Sequence, residues 1–311
     1  MTGVDWAKAL QDWALLCPRC CAADLWAPTR QAIECAACKS VYPVDGGVAG
    51  LMNFAAEPDL HEFIQGYQKI RDAEGYTGRG AAFYRALPDY AQADADAMIW
   101  AIRRKSFAHF KRLLSGKVPA DGQVLDLGSG NGWLSHHLSL LGYRPLALDI
   151  NADRDDGLRA LRHYPEPWPA VLSSFERLPL AAGSADMAVY NGTLHYSPDI
   201  AATVAEALRV LRSKGSVVIM DSPIYRDPSS GKAMLNERQT YHQERFGFAT
   251  DYQTEGFLTW DGIANLVKRL ECKLEVVRPW YGLRWALRPL KAKVLGTREP
   301  ASFALIVLHR T

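Results

Sequence analysis

The stretch Val124-Leu125-Asp126-Leu127-Gly128-Ser129-Gly130-Asn131-Gly132-Trp133-Leu134 decides the fold. The apolar run from Gln123 to Leu127 reads as a strand, alternating glycines follow it, and a helical pattern starts at about Gly132. Glycine enters such a turn without steric cost and lets a ligand approach the backbone closely. The helix behind it offers unpaired N–H groups and the positive end of its dipole. Several nucleotide-binding folds share a turn of this kind, so the rest of the chain must say which ligand it admits.

Downstream, a helix over Trp133 to Leu141 leads to the strand Arg144-Pro145-Leu146-Ala147-Leu148-Asp149-Ile150. A carboxylate at the end of a second strand is placed to accept hydrogen bonds from both ribose hydroxyls. A dinucleotide dehydrogenase shows the same glycine turn and acid. Asp126 separates the two readings, because it repels a pyrophosphate and attracts a cationic amino-acid ammonium. A third strand then runs into Ser173-Ser174-Phe175-Glu176-Arg177-Leu178-Pro179-Leu180. A fourth, Asp186-Met187-Ala188-Val189-Tyr190-Asn191, runs into the polar loop Gly192-Thr193-Leu194-His195-Tyr196.

These segments closely resemble the class I S-adenosylmethionine-dependent methyltransferases, and the resemblance covers roughly residues 118–222. It implies an α/β fold: a Rossmann-like seven-stranded sheet with helices on both faces and an antiparallel last strand. It also implies roles at the matching positions. Asp126, Gly128, Gly130 and Asn131 would bound the methionine moiety, and Asp149, with Ile150 beside it, would hold the ribose. Ser174, Phe175 and Glu176 would lie by the adenine, and Asn191 would line the methionine side. Ser174 stands where many relatives carry Asp, so a hydroxyl takes the place of a carboxylate there. His195 follows the fourth strand, and an ordinary imidazole pKa suits a general base, which makes it the candidate catalytic residue.

The remaining pattern continues the alternation. Ile200 to Leu211 reads as a helix and Gly215 to Asp221 as a buried strand. An insertion at about 223–258, rich in Tyr, His, Arg and Gly, falls on the substrate side. Trp260 to Leu270 reads as a helix capped near Thr259 or Asp261. Cys272 to Val277 reads as a strand that sets Cys272, Leu274 and Val276 against Lys273 and Glu275, and Ser302 to Leu308 as the last strand. Between them, Arg278 to Arg298 holds six basic residues and no acid. Leu283, Leu287, Leu290 and Val294 share one helical face, with Arg284, Arg288 and Lys291 beside it, and Pro289 argues against a continuous helix. A solvated basic face is the default reading. The alternative is a site for an anionic or membrane-associated substrate, helped by Trp280, Tyr281 and Trp285.

At the other end, Val4, Trp6, Leu10, Trp13 and Leu16 suit an amphipathic helix over residues 3–16. Cys17-Pro18-Arg19-Cys20 and Cys35-Ala36-Ala37-Cys38 then form two knuckles. Each presents two thiolates, and together they complete a tetrahedral zinc site with no open position for chemistry, hence a structural one. Cys21 is a non-ligand. Residues 16–52 resemble the small zinc-ribbon activators of tRNA and rRNA methyltransferases, which implies a ribbon over residues 1–55 that can dock a protein partner. A break at Glu57-Pro58-Asp59 opens a helical connecting segment, 56–117, ahead of a methyltransferase domain at 118–311. In that segment Tyr67, Arg71, Tyr76 and Tyr84 carry polar tips suited to a lid over a bound ligand, so Tyr67 and Arg71 join the cofactor-binding candidates.

The 311 residues are 48% hydrophobic and 23% charged with a net charge of +2, so no overall field points to nucleic acid or an anionic membrane. Met1 to Leu16 lacks a signal-peptide core and no run reaches membrane-spanning length, which together predict a soluble, cytoplasmic protein. The expectation is an S-adenosylmethionine-dependent methyltransferase with structural zinc, acting on a small-molecule or lipid-like acceptor. Two other classes stand beside it. One is an RNA methyltransferase using the ribbon and basic segment, disfavoured by the net charge and by Asn191-Gly192-Thr193-Leu194 in place of an Asn-Pro-Pro-Tyr-type motif. The other is a non-catalytic cofactor-binding or partner-docking module.

Overall fold

The computed structural model describes residues 4–52, 58–89, 97–247 and 254–310. Glu57 of the expected break and residues 248–253 of the insertion lie outside them. The chain opens with helix α1 (Trp6–Asp12), then strands β1 (Leu25–Thr29), β2 (Ala32–Cys35), β3 (Val41–Asp45) and β4 (Val48–Ala49). Helices α2 (Pro58–Ala73), α3 (Ala81–Ala86) and α4 (Ala97–Lys117) follow. The alternating part runs β5 (Gln123–Leu127), α5 (Trp133–Leu140), β6 (Arg144–Asp149), β7 (Ala170–Leu172), β8 (Ala185–Asn191), α6 (Ile200–Val210) and β9 (Leu211–Met220). Next come β10 (Ile224–Tyr225), α7 (Pro228–Phe246), β11 (Leu258–Thr259), α8 (Trp260–Arg269) and β12 (Cys272–Val277). Helices α9 (Leu283–Ala286) and α10 (Arg288–Leu295) and strand β13 (Leu305–Arg310) complete the described residues.

Seven strands lie in the order β7-β6-β5-β8-β9-β13-β12. The first five are parallel, and β13 runs antiparallel to both β9 and β12. Strict alternation of apolar side chains builds two cores. Leu125, Leu127, Leu146, Leu148, Ala188, Tyr190, Val217 and Ile219 face α1, α6 and α8. Val124, Met187, Val189, Val218 and Met220 face Trp100, Phe107, Phe110 and Leu114 of α4 and Trp133, Leu134 and Leu138 of α5. A central strand is covered on both faces, so β5 is buried throughout, its polar Gln123 and Asp126 included.

The ribbon is part of this sheet. Val48 and Ala49 of β4 pair parallel with Ala170 and Val171 of β7, so β1 to β4 extend the sheet to eleven strands. A second seam lies beside α1, where Leu16 N–H donates to the Pro179 carbonyl at 2.9 Å and Ala181 N–H to that of Ala14 at 3.1 Å. Trp6, Leu10 and Trp13 are buried in the same core as the sheet residues.

Two expectations change, and two stretches gain detail. Leu274 on β12 is exposed, because β12 is an edge strand and only Cys272 is fully buried. The last strand starts at Leu305, since Ser302 instead bridges to Ile224. The insertion contains the long helix α7, capped by the Asp227 carboxylate on Ser229 N–H and ended by Gly247 in the left-handed region. The basic segment does not hide its apolar face: Leu283, Leu287, Leu290 and Val294 are all exposed.

Because α1, ribbon and sheet share one core, Trp13→Ala should destabilise the whole chain by about 3–5 kcal/mol. Urea unfolding followed by circular dichroism should then show one transition shifted to lower denaturant. Two separated transitions would mean the ribbon and the sheet unfold independently.

Candidate active site

The carboxyl ends of the parallel strands carry the candidate residues. Gly128, Gly130 and Gly132 have φ of 74°, 52° and 76°, the left-handed region that disfavours side chains. A Cβ at Gly128 would lie 2.5 Å from Thr193 Cγ2, and one at Gly132 would lie 2.8 Å from the Trp168 ring. Gly130 differs, since a Cβ there would have only the Asp156 carbonyl within reach, at 4.0 Å. Its missing side chain leaves open space over the turn. The Leu148 carbonyl accepts from Gly128 and Ser129 N–H, at 2.8 and 3.1 Å.

Asp149 accepts from Gly130 N–H at 2.7 Å and from Asn151 N–H at 2.8 Å, with Ile150 half-buried beside it. Burial pushes its carboxyl up to about 6. Asp126 is buried at the heart of the turn. Its Oδ2 accepts from Ser135 N–H and Oγ, at 3.1 and 2.7 Å, while Oδ1 has no partner. Burial, helped by the Asp149 charge, pushes Asp126 up to about 7. Asn131 accepts from Trp133 N–H and, through its carbonyl, from the Tyr164 hydroxyl. The buried Asn191 Oδ1 also lacks a partner. An orphaned carboxylate oxygen, an orphaned amide oxygen and the gap over Gly130 together fit a ligand that carries hydrogen-bond donors.

Ser174 builds its own turn. Its hydroxyl donates to the Glu176 carboxylate at 3.0 Å and accepts from Glu176 N–H at 3.1 Å. The hydroxyl expected to face an adenine is therefore engaged locally, and Glu176 itself is exposed. Phe175 is half-buried and meets Tyr190 edge-on at 5.7 Å.

Helix α2 crosses the loop after β6. Gln68 donates to Asn151 Oδ1 at 2.8 Å, and Arg71 pairs with the Asp156 carboxylate while stacking over the Tyr76 ring at 3.3 Å. Arg71 thus fixes the helix over the loop through Asp156, and Tyr67 meets Tyr196 edge-on at 6.4 Å. Tyr84, grouped with these by its polar tip, is instead a core residue, buried and stacked on His163 at 4.3 Å.

His195 sits after β8 as expected, and its environment opposes the expected chemistry. The ring is buried, Nδ1 lies 3.2 Å from Ser222 Oγ, and Tyr196 packs on it at 4.3 Å. Burial, then the charges of Arg238 and Arg103, push its pKa down to about 3. It is neutral at every physiological pH and is a poor base near pH 7.

Asp221 escaped the sequence reading. It follows β9 with φ of 54°, strained for a residue with a side chain. It is surrounded by protein, which raises its pKa, although Ser106 and Arg103 favour the charged form. Neither carboxylate oxygen makes a hydrogen bond of good geometry. A Cβ on Gly192 would come within 3.9 Å of both Arg103 and the Asp221 side chain. Arg103, Asp221, Ser222 and His195 therefore cluster around the loop after β8; the only signal in sequence was an acid at a strand's carboxyl end.

In the ribbon, the sulfurs of Cys17, Cys20, Cys35 and Cys38 lie within 4.8 Å of one another. The Cys17–Cys38 and Cys20–Cys35 separations are 3.6 Å. A tetrahedral zinc–thiolate centre needs sulfurs about 3.8 Å apart, so the donor set fits such an ion. Cys21 is exposed and stays outside the cluster, and the Tyr42 hydroxyl lies 3.0 Å from Cys17 Sγ.

Residues 125–219 match the family model described as a methyltransferase domain. The chain therefore carries a methyltransferase domain over these residues. Curated relatives similar to it include the malonyl-[acyl-carrier protein] O-methyltransferases of Legionella pneumophila and Yersinia pestis. The first is 28% identical over 35% of this chain and 39% of the relative, the second 34% identical over 44% and 48%. The chain thus spans less than half the length of these relatives. A geranyl diphosphate methyltransferase, solved with geranyl diphosphate and sinefungin, superposes with a TM-score of 0.51 at 17% identity. That match covers 82% of this chain and all of the other, and shows the fold of the methyltransferase domain. No helix among the described residues is long and apolar enough to cross a membrane.

The raised Asp126 pKa has a thermodynamic signature. The folded protein holds this proton more tightly than the unfolded chain, whose Asp titrates near 3.9, so this group's contribution to stability falls as pH rises from about 4 to about 7. Asp126→Asn should remove that loss and gain stability relative to wild type at pH 8 but not at pH 4. Denaturant midpoints measured across this range check it, and parallel curves for the two proteins would exclude a raised Asp126.

Proposed function

We propose that the chain is an S-adenosylmethionine-dependent O-methyltransferase whose acceptor presents a carboxylate, on a small or lipid-like molecule. The observation that carries this is the environment of His195. His195, pushed down to about 3 by burial and two arginines, supplies no base near neutral pH. A carboxylate oxygen has no proton to lose, and the charges of Arg103 and Arg238 that depress His195 favour an anion beside it. Relatives named as malonyl-[acyl-carrier protein] O-methyltransferases agree with oxygen as the attacking atom, although another similar relative is named as a dimethylglycine N-methyltransferase.

Bound S-adenosylmethionine supplies a methyl group activated by a sulfonium. Asp126 Oδ1 and the Gly130 gap would receive its methionine end, Asp149 the ribose, and Phe175 one face of the adenine. A cation beside Asp126 lowers that carboxyl's pKa and restores its charge. In-line displacement by the carboxylate oxygen forms a C–O bond as the C–S bond breaks, so positioning and exclusion of water carry the catalysis. Tyr67 and Arg71 on α2 cover the site, and neutral His195 orients the acceptor. Zinc in the four-thiolate cluster completes the ribbon as a structural ion.

The reaction is tested with methyl-labelled S-adenosylmethionine and a panel of carboxylic acids and acyl-carrier thioesters. Labelled product should release methanol on alkaline treatment, as a methyl ester does, and alkali-stable label would exclude carboxylate methylation. Gly130→Ala places a methyl group in the gap and should weaken S-adenosylmethionine binding at least about tenfold in calorimetry. His195→Ala should leave that affinity intact and lower kcat/KM for the acceptor by about ten- to a hundredfold. Neither wild type nor this variant should show an imidazole titration in its rate between about pH 6 and about 8. Unchanged turnover in His195→Ala would remove that residue from the mechanism.

Metal analysis should find about one zinc per chain. Cys20→Ser with Cys38→Ser should abolish it and lower the melting temperature. A stable, zinc-free wild type would exclude the structural ion.

A further inference from the structure

The segment from Trp280 to Leu295 breaks the usual rule for burial. In this stretch Trp280, Leu283, Leu290 and Val294 are 65, 67, 60 and 77% exposed, and Leu287 and Leu295 are exposed as well. Isolated exposed leucines are ordinary, whereas a row of them on one element marks a surface that meets something apolar. The row is continuous. Leu287, between α9 and α10, keeps helical dihedrals, and Leu287 N–H and Lys291 N–H donate to the Leu283 and Leu287 carbonyls at 3.0 Å each. Pro289 falls in the first turn of α10, where its missing N–H costs little. Leu283, Leu287, Leu290 and Val294 therefore form one ridge despite the proline.

Charge narrows the occupant. At 100° per residue, Arg284 and Lys291 flank one side of the ridge and Lys293 the other, and all three are exposed. Residues 278–298 contain no acid. An apolar ridge between rows of long basic side chains, with an exposed tryptophan at one end, matches an anionic lipid surface: leucines enter the acyl region and the cations reach headgroup phosphates. A second copy of the same ridge would bring like charges together.

The ridge also connects to the acceptor side of the candidate active site. Tyr281 accepts from Lys105 Nζ at 2.8 Å through its carbonyl, and its hydroxyl lies 2.9 Å from Ser106 Oγ, beside Asp221. The chain thus passes from the Asp221 cluster to the ridge within a few residues.

We infer that α9 and α10 form a docking ridge for anionic membranes, seating the chain on a bilayer with the acceptor side next to it. This does not depend on which atom is methylated, and its test involves no methyl transfer. The full-length protein is sedimented with phosphatidylcholine vesicles, with or without phosphatidylglycerol. Binding should require the anionic lipid and weaken with salt. Leu287→Ser, Leu290→Ser and Val294→Ser combined replace exposed side chains only, so melting temperature should hold while vesicle affinity falls at least about tenfold. Lys291→Gln and Lys293→Gln should each cost about fivefold on anionic vesicles.

Three results would overturn the inference: no binding to anionic vesicles, binding unaffected by the serine substitutions, or light scattering that shows a dimer which those substitutions dissociate. Single-stranded RNA binding that needs Lys291 and Lys293 but not the leucines, without vesicle binding, would assign the surface to nucleic acid instead.

Discussion

The Leu148 carbonyl holds the N–H groups of both Gly128 and Ser129, and the neighbouring Asp149 carboxylate holds that of Gly130. The turn after β5 is thus pinned to the end of β6, not supported by its own residues alone. This attachment aims the α5 N-terminus across the sheet edge and keeps the space over Gly130 open. It depends in turn on the β5–β6 register, because Leu127, the last residue of β5, pairs with Leu148, one residue before β6 ends. Moving either strand by a residue would put the wrong carbonyl under the glycines and turn that strand's core side chains over. The apolar alternation that builds the two cores therefore also sets the position of the ligand turn.

Around this edge the protein buries three carboxylates with decreasing satisfaction. Asp149 accepts two backbone N–H groups, Asp126 is satisfied on one oxygen only, and Asp221 on neither. Burying acids without full compensation costs stability. Their retention at one sheet edge, with Arg103 close to the least satisfied of them, is the pattern of a site set up for charges that arrive with ligands. The two-faced core supplies the stability that this edge gives up.

Much of this was legible in the residues. The glycine turn, the five parallel strands and the two thiol knuckles each follow from short-range rules about left-handed dihedrals, continuous apolar runs and ligand spacing. The roles of single side chains were harder to read. Ser174 looked available to a ligand, but the residue two places on engages it. Tyr84 looked like a lid by its polar tip, but a histidine far along the chain stacks on it. His195 carried an ordinary pKa in sequence, and only the fold brings two arginines from α4 and α7 near it. Helix α7 was missed because it has almost no apolar face, although Asp227-Pro228 at its start and Gly247 at its end are ordinary boundary signals. Asp221 had no motif at all; its strain and unsatisfied oxygens exist only in three dimensions.

The pairing of β4 with β7 also constrains the order in which the molecule assembles during synthesis. The four thiols are complete once Cys38 has left the ribosome, and two antiparallel hairpins can close around an ion at that stage. The ribbon's partner strand is made much later, since Val48 meets Ala170 and Leu15 meets Leu180. Until then, the apolar residues of α1 and the free side of β4 have nothing to cover them, and an uncovered strand edge invites pairing with another chain. An early-bound metal ion would hold the hairpins in shape through this interval, so the thiol cluster would serve the nascent chain before it serves the finished one.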